Sequence, residues 1–299
     1  MALDNPAFNR PAFQDPKSAT ATRGGAQSGQ MSDPYYASQA SAQQTAQIDG
    51  LYATPPAGSI DTDRMTVEDT VWKTVGLFAA LLATAVVGWV WTLSTVMTEG
   101  APNMTPWLIG MIGGFVLAMV NIFKKQPSVP LIVLYAAFQG LFVGGISAYF
   151  EFMYSGIVMQ ATLATVAVVG VTLALFASGK VRASKKATKI FMIAMIGYAV
   201  FSLLNLILMW TNVIPAGMMF GLHSAPSILF GIPWGVIIGV FVVIMAAYSL
   251  VLDFDMVQQG VRNGAPRKMG WTAAFGIMVT VIWLYVEILR ILAILRGNN

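Results

Sequence analysis

From residue 75 onward the chain repeats one unit, an apolar stretch of about twenty residues followed by a short polar loop. Seven such stretches lie at roughly 75–97, 107–123, 131–150, 156–178, 190–210, 228–252 and 272–295. An α-helix of about 20 residues crosses the ~30 Å hydrocarbon layer of a bilayer. Backbone N–H and C=O groups in hydrocarbon must be satisfied inside the segment, which confines such stretches to helices. The predicted fold is therefore all-α, a polytopic membrane protein built as a bundle of seven transmembrane helices. Composition agrees: 57% of the chain is hydrophobic and only 10% charged, against about 25% charged in soluble domains.

The loops carry the topology. Those after the first, third and fifth stretches, "TEGAPNMTP", "EFMYSG" and "TNVIPAGMMFGLHSAPS", contain no Lys or Arg. The alternate loops hold Lys124 and Lys125, then Lys180, Arg182, Lys185, Lys186 and Lys189, then Arg262, Arg267 and Lys268. Basic residues mark cytoplasmic loops. The expected N-terminus is cytoplasmic and the C-terminus lies outside. The net charge of +4 follows from this topology and does not argue for nucleic acid. The opening "MALDNPAFNRPAFQDPKSATATRGG" has no apolar core and reads as no signal peptide. With the polytopic layout, this points to a bacterial cytoplasmic (inner) membrane.

Residues 1–70 differ in kind. They are rich in Ala, Gln, Ser, Thr, Pro and Gly, as in "ASQASAQQTAQ". Such a segment buries too little apolar surface to offset ordering entropy, so a disordered cytoplasmic tail is predicted, with residues 71–299 as the transmembrane domain. "NPAFNRPAF" and "DPYYA" give the tail aromatic residues with which to dock on a protein partner. "TVEDTVWKT" then opens a helix, with Thr66 three residues before Asp69 in the manner of a capping box.

Glycine spacing predicts how the helices meet. Gly110 and Gly114, Gly140 and Gly144, and Gly231, Gly235 and Gly239 recur four apart, on one helical face each. Small residues at that spacing let backbones approach closely in lipid. Pro226 and Pro233 predict a kink or broken first turn in the sixth span. Trp91, Trp210 and Trp271 fall near span ends, as in interfacial belts, while Trp283 sits mid-span as bundle packing.

The chemistry is sparse. There is no cysteine, and His223 is the single histidine. That excludes disulfides, thiolate metal sites and histidine clusters. With no nucleophile and base constellation, no enzymatic activity and no cofactor are expected. What stands out is charge in apolar surroundings: Asp253 and Asp255 in "LVLDFDMVQQG", and Glu287 in "WLYVEILRIL". A carboxylate at membrane depth costs several kcal/mol and usually marks a functional site. Glu99 and Glu151 flank the outer ends of the first and third spans, where they make the outer face mildly cation-attracting.

"SLVLDFDMV" on the sixth span and "WLYVEILRILAILR" on the seventh resemble the Bax inhibitor-1 (transmembrane Bax-inhibitor-motif) family, in a bacterial-type member with an added N-terminal tail. "NIFKKQPSVPLIVLYAAFQGLFVGG" and Asn205 in "SLLNLILMW" resemble it as well. The resemblance covers about residues 70–296 and leaves out the tail. It implies a helical bundle around a pore and a pH-sensitive calcium leak. It further implies a pH sensor made of one carboxylate on each of the last two helices, matching Asp253 and Glu287. Two carboxylates a few ångströms apart cannot both ionise cheaply and share a proton. Once ionised they offer hard oxygens suited to Ca²⁺.

Two partners remain open for Glu287. Arg290 lies one turn on and shares its face, which allows an i,i+3 ion pair. Depth also separates the carboxylates. If the last two spans turn at 263–270, Asp253 lies ~13 Å from the turn and Glu287 ~24 Å, at 1.5 Å rise per residue. Asp255 projects roughly 200° from Asp253 around the helix, toward the inner surface. Arg290, Asp255 and Asn205 are candidate modulators. Two other functions stay open: an interaction protein regulating a membrane protease or other membrane complex, and a proton-coupled transporter.

Overall fold

The computed structural model describes residues 63–124, 126–211, 213–214, 220–225 and 232–297. The expectations for residues 1–62, Lys125, Pro226 and Gly231 lie outside the described residues. Seven helices there are long and apolar enough to cross a membrane. They are α1 (Val67–Leu93, continued after a turn by Val96–Glu99), α2 (Thr105–Phe123), α3 (Val129–Met153), α4 (Ile157–Ala177), α5 (Lys185–Trp210), α6 (Trp234–Arg262) and α7 (Met269–Gly297). A 3-10 turn, Gly221–Ser224, lies between α5 and α6.

Local chemistry explains the starts. Thr66 adopts extended backbone before α1, and its hydroxyl accepts the Asp69 N–H at 3.1 Å. Ser184 caps α5 by accepting the Ala187 N–H at 3.2 Å. Prolines occupy the first turns of α2 and α3, where no intrahelical donor is lost. The sixth helix departs from expectation. It begins after Pro233, whose φ of −57° and ψ of 143° place it at the cap, so this proline precedes the helix and puts no kink inside it. The helix then continues to Arg262, and Asp253 and Asp255 lie well inside it.

The bundle is organised around α7. More than half of its apolar window, 56%, is buried, against 6% for α5. α7 packs on α1, α3, α4 and α6, whereas α5 meets chiefly the 3-10 turn and α6. The first half of α7 (Ala274, Phe275, Met278, Ile282) joins Leu77, Leu81, Ile132, Tyr135 and Ala136. Its second half (Leu284, Ile288, Leu289, Ala293) joins residues of α3, α4 and α6 such as Phe150, Ile157 and Leu250. Lipid tails are as apolar as these side chains, so close packing holds the helices together.

Glycines provide that closeness. Gly140 and Gly144 of α3 lie against the backbone of α1 at Leu81 and Ala85, and Gly110 of α2 lies against the backbone of α3 at Phe142. The small-residue faces read from spacing are contact faces.

The segment before α1 is tied to the α6–α7 loop. Met65 N–H donates to Ala265 O (2.8 Å) and Arg267 N–H to Asp63 O (2.9 Å). Met65 is buried with Val257 and Ala273. Asp69 forms ion pairs with Lys73 and with Arg267 (3.0 Å). Residues 63–66 therefore pack with the transmembrane domain.

Candidate functional site

Asp253 sits on the face of α6 turned toward α7. Thr280 Oγ1 of α7 donates to Asp253 Oδ2 at 2.7 Å, and Ser249 lies 3.4 Å from the same hydroxyl. Gly276, one turn earlier on α7, leaves room beside the carboxylate. Among the described residues no Lys or Arg lies within ion-pair distance of Asp253. It is a half-buried acid held by a hydroxyl.

Glu287 belongs to a different cluster. It is 3% exposed and forms an ion pair with Arg290. Tyr198 Oη of α5 donates to its other oxygen at 3.2 Å, and Arg290 Nη1 donates to the same phenol oxygen at 3.1 Å. The three side chains close a triangle that fastens α5 to α7. Both Glu287 oxygens are used.

The expected carboxylate pair is therefore not formed. Asp253 faces Thr280, two turns before Glu287, or ~10 Å along the α7 axis. The depth mismatch anticipated from loop position persists, and the i,i+3 partner is the one adopted. A joint Ca²⁺ site at Asp253 and Glu287 is not assembled, and among the described residues no three His, Cys, Asp or Glu converge as metal ligands.

Of the other candidates, Asp255 accepts from Gln259 Nε2 on its own helix at 2.6 Å. Glu99 is exposed at the end of the turn that extends α1. Glu151 accepts the N–H groups of Gly156 (2.6 Å) and Val158 (3.1 Å). It thus caps the N-terminus of α4, where unsatisfied donors favour a negative charge, and both its oxygens are occupied.

Asn205 holds the 3-10 turn. Its Oδ1 accepts the Leu222 N–H at 2.8 Å, and its Nδ2 donates to Phe220 O at 3.3 Å. The same Nδ2 lies 3.4 Å from His223 Nδ1. Gly221 has φ +60°, and a Cβ there would overlap Asn205, so the turn needs glycine. His223 is buried, with its ring edge-on to Phe201 at 5.0 Å. Burial, reinforced by the Arg290 charge, pushes its pKa down to about 4. Thr280, Tyr198 and His223 carry no sequence signal as site residues, because each becomes one only through a neighbouring helix.

A stability prediction follows. A histidine with a depressed folded pKa contributes fully above its unfolded value near 6.5 and loses that contribution as pH falls toward 4. The loss amounts to about 3 kcal/mol at ~1.4 kcal/mol per pH unit. Thermal unfolding of His223→Gln and the intact protein at pH 7.5 and pH 4.5 measures it. The intact protein should lose more stability on acidification, by that amount.

The family comparison covers the arrangement as a whole. A family model described as Bax inhibitor 1 like matches residues 5–297. The match takes in most of the N-terminal segment, which the motif resemblance had left out. No curated protein and no solved structure matches the chain. With seven apolar helices, an acid in the α6–α7 contact, and a match over nearly its full length, the chain is an integral membrane protein that belongs to the Bax inhibitor 1 like family.

Proposed function

We propose that the protein is a pH-modulated cation leak, with Ca²⁺ as the principal permeant ion and Asp253 as the proton-responsive group. The observation that carries this reading is the half-buried Asp253 between α6 and α7, held by Thr280 and facing no basic partner among the described residues. Protonated, it is a neutral hydrogen-bonding group in the helix contact. Deprotonated, it puts a negative charge there, which biases the packing of α6 on α7 and attracts a cation. The reading needs no catalytic step or cofactor. It keeps the basic loops and the N-terminus in the cytoplasm of a bacterial inner membrane.

Calcium flux into dye-loaded proteoliposomes at pH 6, 7 and 8 tests it. The intact protein should leak with a pH dependence that Asp253→Asn flattens to within about twofold, the scale of ordinary surface changes of ~0.5 kcal/mol. Glu287→Gln should leave the pH dependence in place, because its cluster is separate, and the double change should combine the two effects additively. A chain beginning at Asp63, which keeps Met65 and its contacts, should leak like the whole protein. Absence of flux at every pH from well-folded protein sinks the proposal and favours an interaction role through the N-terminal segment.

A further inference from the structure

Beside the Glu287–Arg290–Tyr198 triangle lies a crevice of about 340 Å³, partly apolar through Leu206, Met209 and Phe220, whose lining also includes Asn205, His223 and Arg290. It occupies the end of the bundle where α5 and α7 finish and α6 begins. Two of the lining residues carry a buried nitrogen, Arg290 Nε and His223 Nε2, with no hydrogen-bond partner among the described residues.

Both are donors. Arg290 Nε always carries a hydrogen. For His223 the surroundings determine the tautomer. Asn205 Oδ1 is committed to the Leu222 N–H, so its amide nitrogen is the atom facing His223 Nδ1. With Nδ1 accepting from this amide the neutral ring carries its hydrogen on Nε2, and the protonated ring carries one there whichever neutral tautomer it starts from. Two buried, unanswered N–H groups beside one crevice specify an acceptor, since buried donors are otherwise satisfied.

We propose that this crevice binds the oxyanion of a singly charged ligand, received by Arg290 Nε–H and His223 Nε2–H. The ligand is either a small monocarboxylate or the phosphodiester of a net-anionic lipid headgroup, one without the choline cation of phosphatidylcholine, and the two present the same oxygen chemistry.

Charge balance couples this binding to a proton. Arg290 and Glu287 cancel, so the empty site is neutral while His223 is neutral. The groups facing His223 are Asn205 and Phe201 on α5, Gly235 on α6 and Arg290 on α7, with Tyr198 and Glu287 behind the guanidinium. An added negative charge is offset by a proton taken up at Glu287 or at His223, and of the two only His223 also donates to the oxyanion. The bound oxyanion therefore favours imidazolium, and binding tightens as pH falls. This site is separate from Asp253, and its test is independent of the leak.

His223 is the only histidine, so ¹⁵N-histidine labelling of the full chain gives one imidazole to titrate. The titration is run in phosphatidylcholine nanodiscs with chloride, in the same discs with acetate, and in discs containing phosphatidylglycerol. The expected result is an imidazole titration moved up by about one pH unit or more, a tenfold preference of the ligand for the protonated site. A shift with acetate assigns a free carboxylate, and a shift only with phosphatidylglycerol assigns a lipid headgroup. Arg290→Lys keeps a charge for Glu287 but lacks the Nε–H, and should lose the shift. Superimposable titrations in all three media, or a shift that persists in Arg290→Lys, overturn the proposal.

Discussion

Replacing Glu287 by Gln should destabilise the protein by about 3–5 kcal/mol, and Arg290→Gln by a similar amount, the cost of leaving one member of a buried ion pair without its partner. The double replacement should cost far less than the sum. Glu287 is almost wholly enclosed, and its side chain and that of Arg290 are 4% and 17% exposed. In this setting each charge is tolerable only because the other is present, and the Tyr198 hydroxyl serves both. Removing both charges leaves three neutral hydrogen-bonding groups on the same frame. Reversible unfolding in mixed micelles, followed through the four-member mutant cycle, gives the coupling energy directly. Additive losses would show that the triangle contributes nothing as a unit. The loss should also be local. Because α5 is held by this triangle, the Asn205 turn and the contacts of Tyr248 with Ser184, Thr188 and Phe191, hydrogen exchange should rise first in α5.

The second large effect lies at the α1–α3 contact. Gly144→Val should cost about 3 kcal/mol or more and sharply reduce the yield of folded protein, beyond the usual overpacking penalty of ~1–3 kcal/mol. A Cβ at Gly144 would stand 2.7 Å from the carbonyl carbon of Ala85, and closer still to its oxygen. The obstacle is helix backbone, which cannot turn aside as a side chain can. Gly170 of α4 supplies the contrast, since a Cβ there meets nothing within 4 Å. Gly170→Ala should leave folding intact and stabilise the helix by up to about 1 kcal/mol, the propensity difference between the two residues. Equal losses at the two sites would mean that backbone contact is not what Gly144 provides.

The seven spans were legible in the sequence because hydrocarbon thickness imposes a length that only apolar residues can fill. The glycine faces of α2 and α3 were legible for a similar reason, since four-residue spacing fixes a common helical face whatever lies opposite. Thr66 as a cap and Arg290 as a possible partner of Glu287 were within reach because their interactions close inside a single turn. Lys185 at the head of α5 and Val67 at the head of α1 show helices running past their apolar stretches, a boundary that hydropathy does not mark.

Which acid meets which group was decided by tertiary structure alone. Asp253 finds Thr280, and Glu287 finds Tyr198, through the axial register of α6, α7 and α5. Lipid-facing and buried apolar residues look alike in sequence, so composition leaves that register open. Glu151 shows the same limit, because a carboxylate that reads as part of a cation-attracting outer face is taken up by the first N–H groups of α4. His223 reads as an isolated loop residue until Asn205, Phe201 and Arg290 enclose it from two other helices. Periodicity and length are properties of one helix and can be read along the chain. Depth, facing and charge pairing belong to pairs of helices, and they exist only once close backbone contact has set how far each is slid against the next.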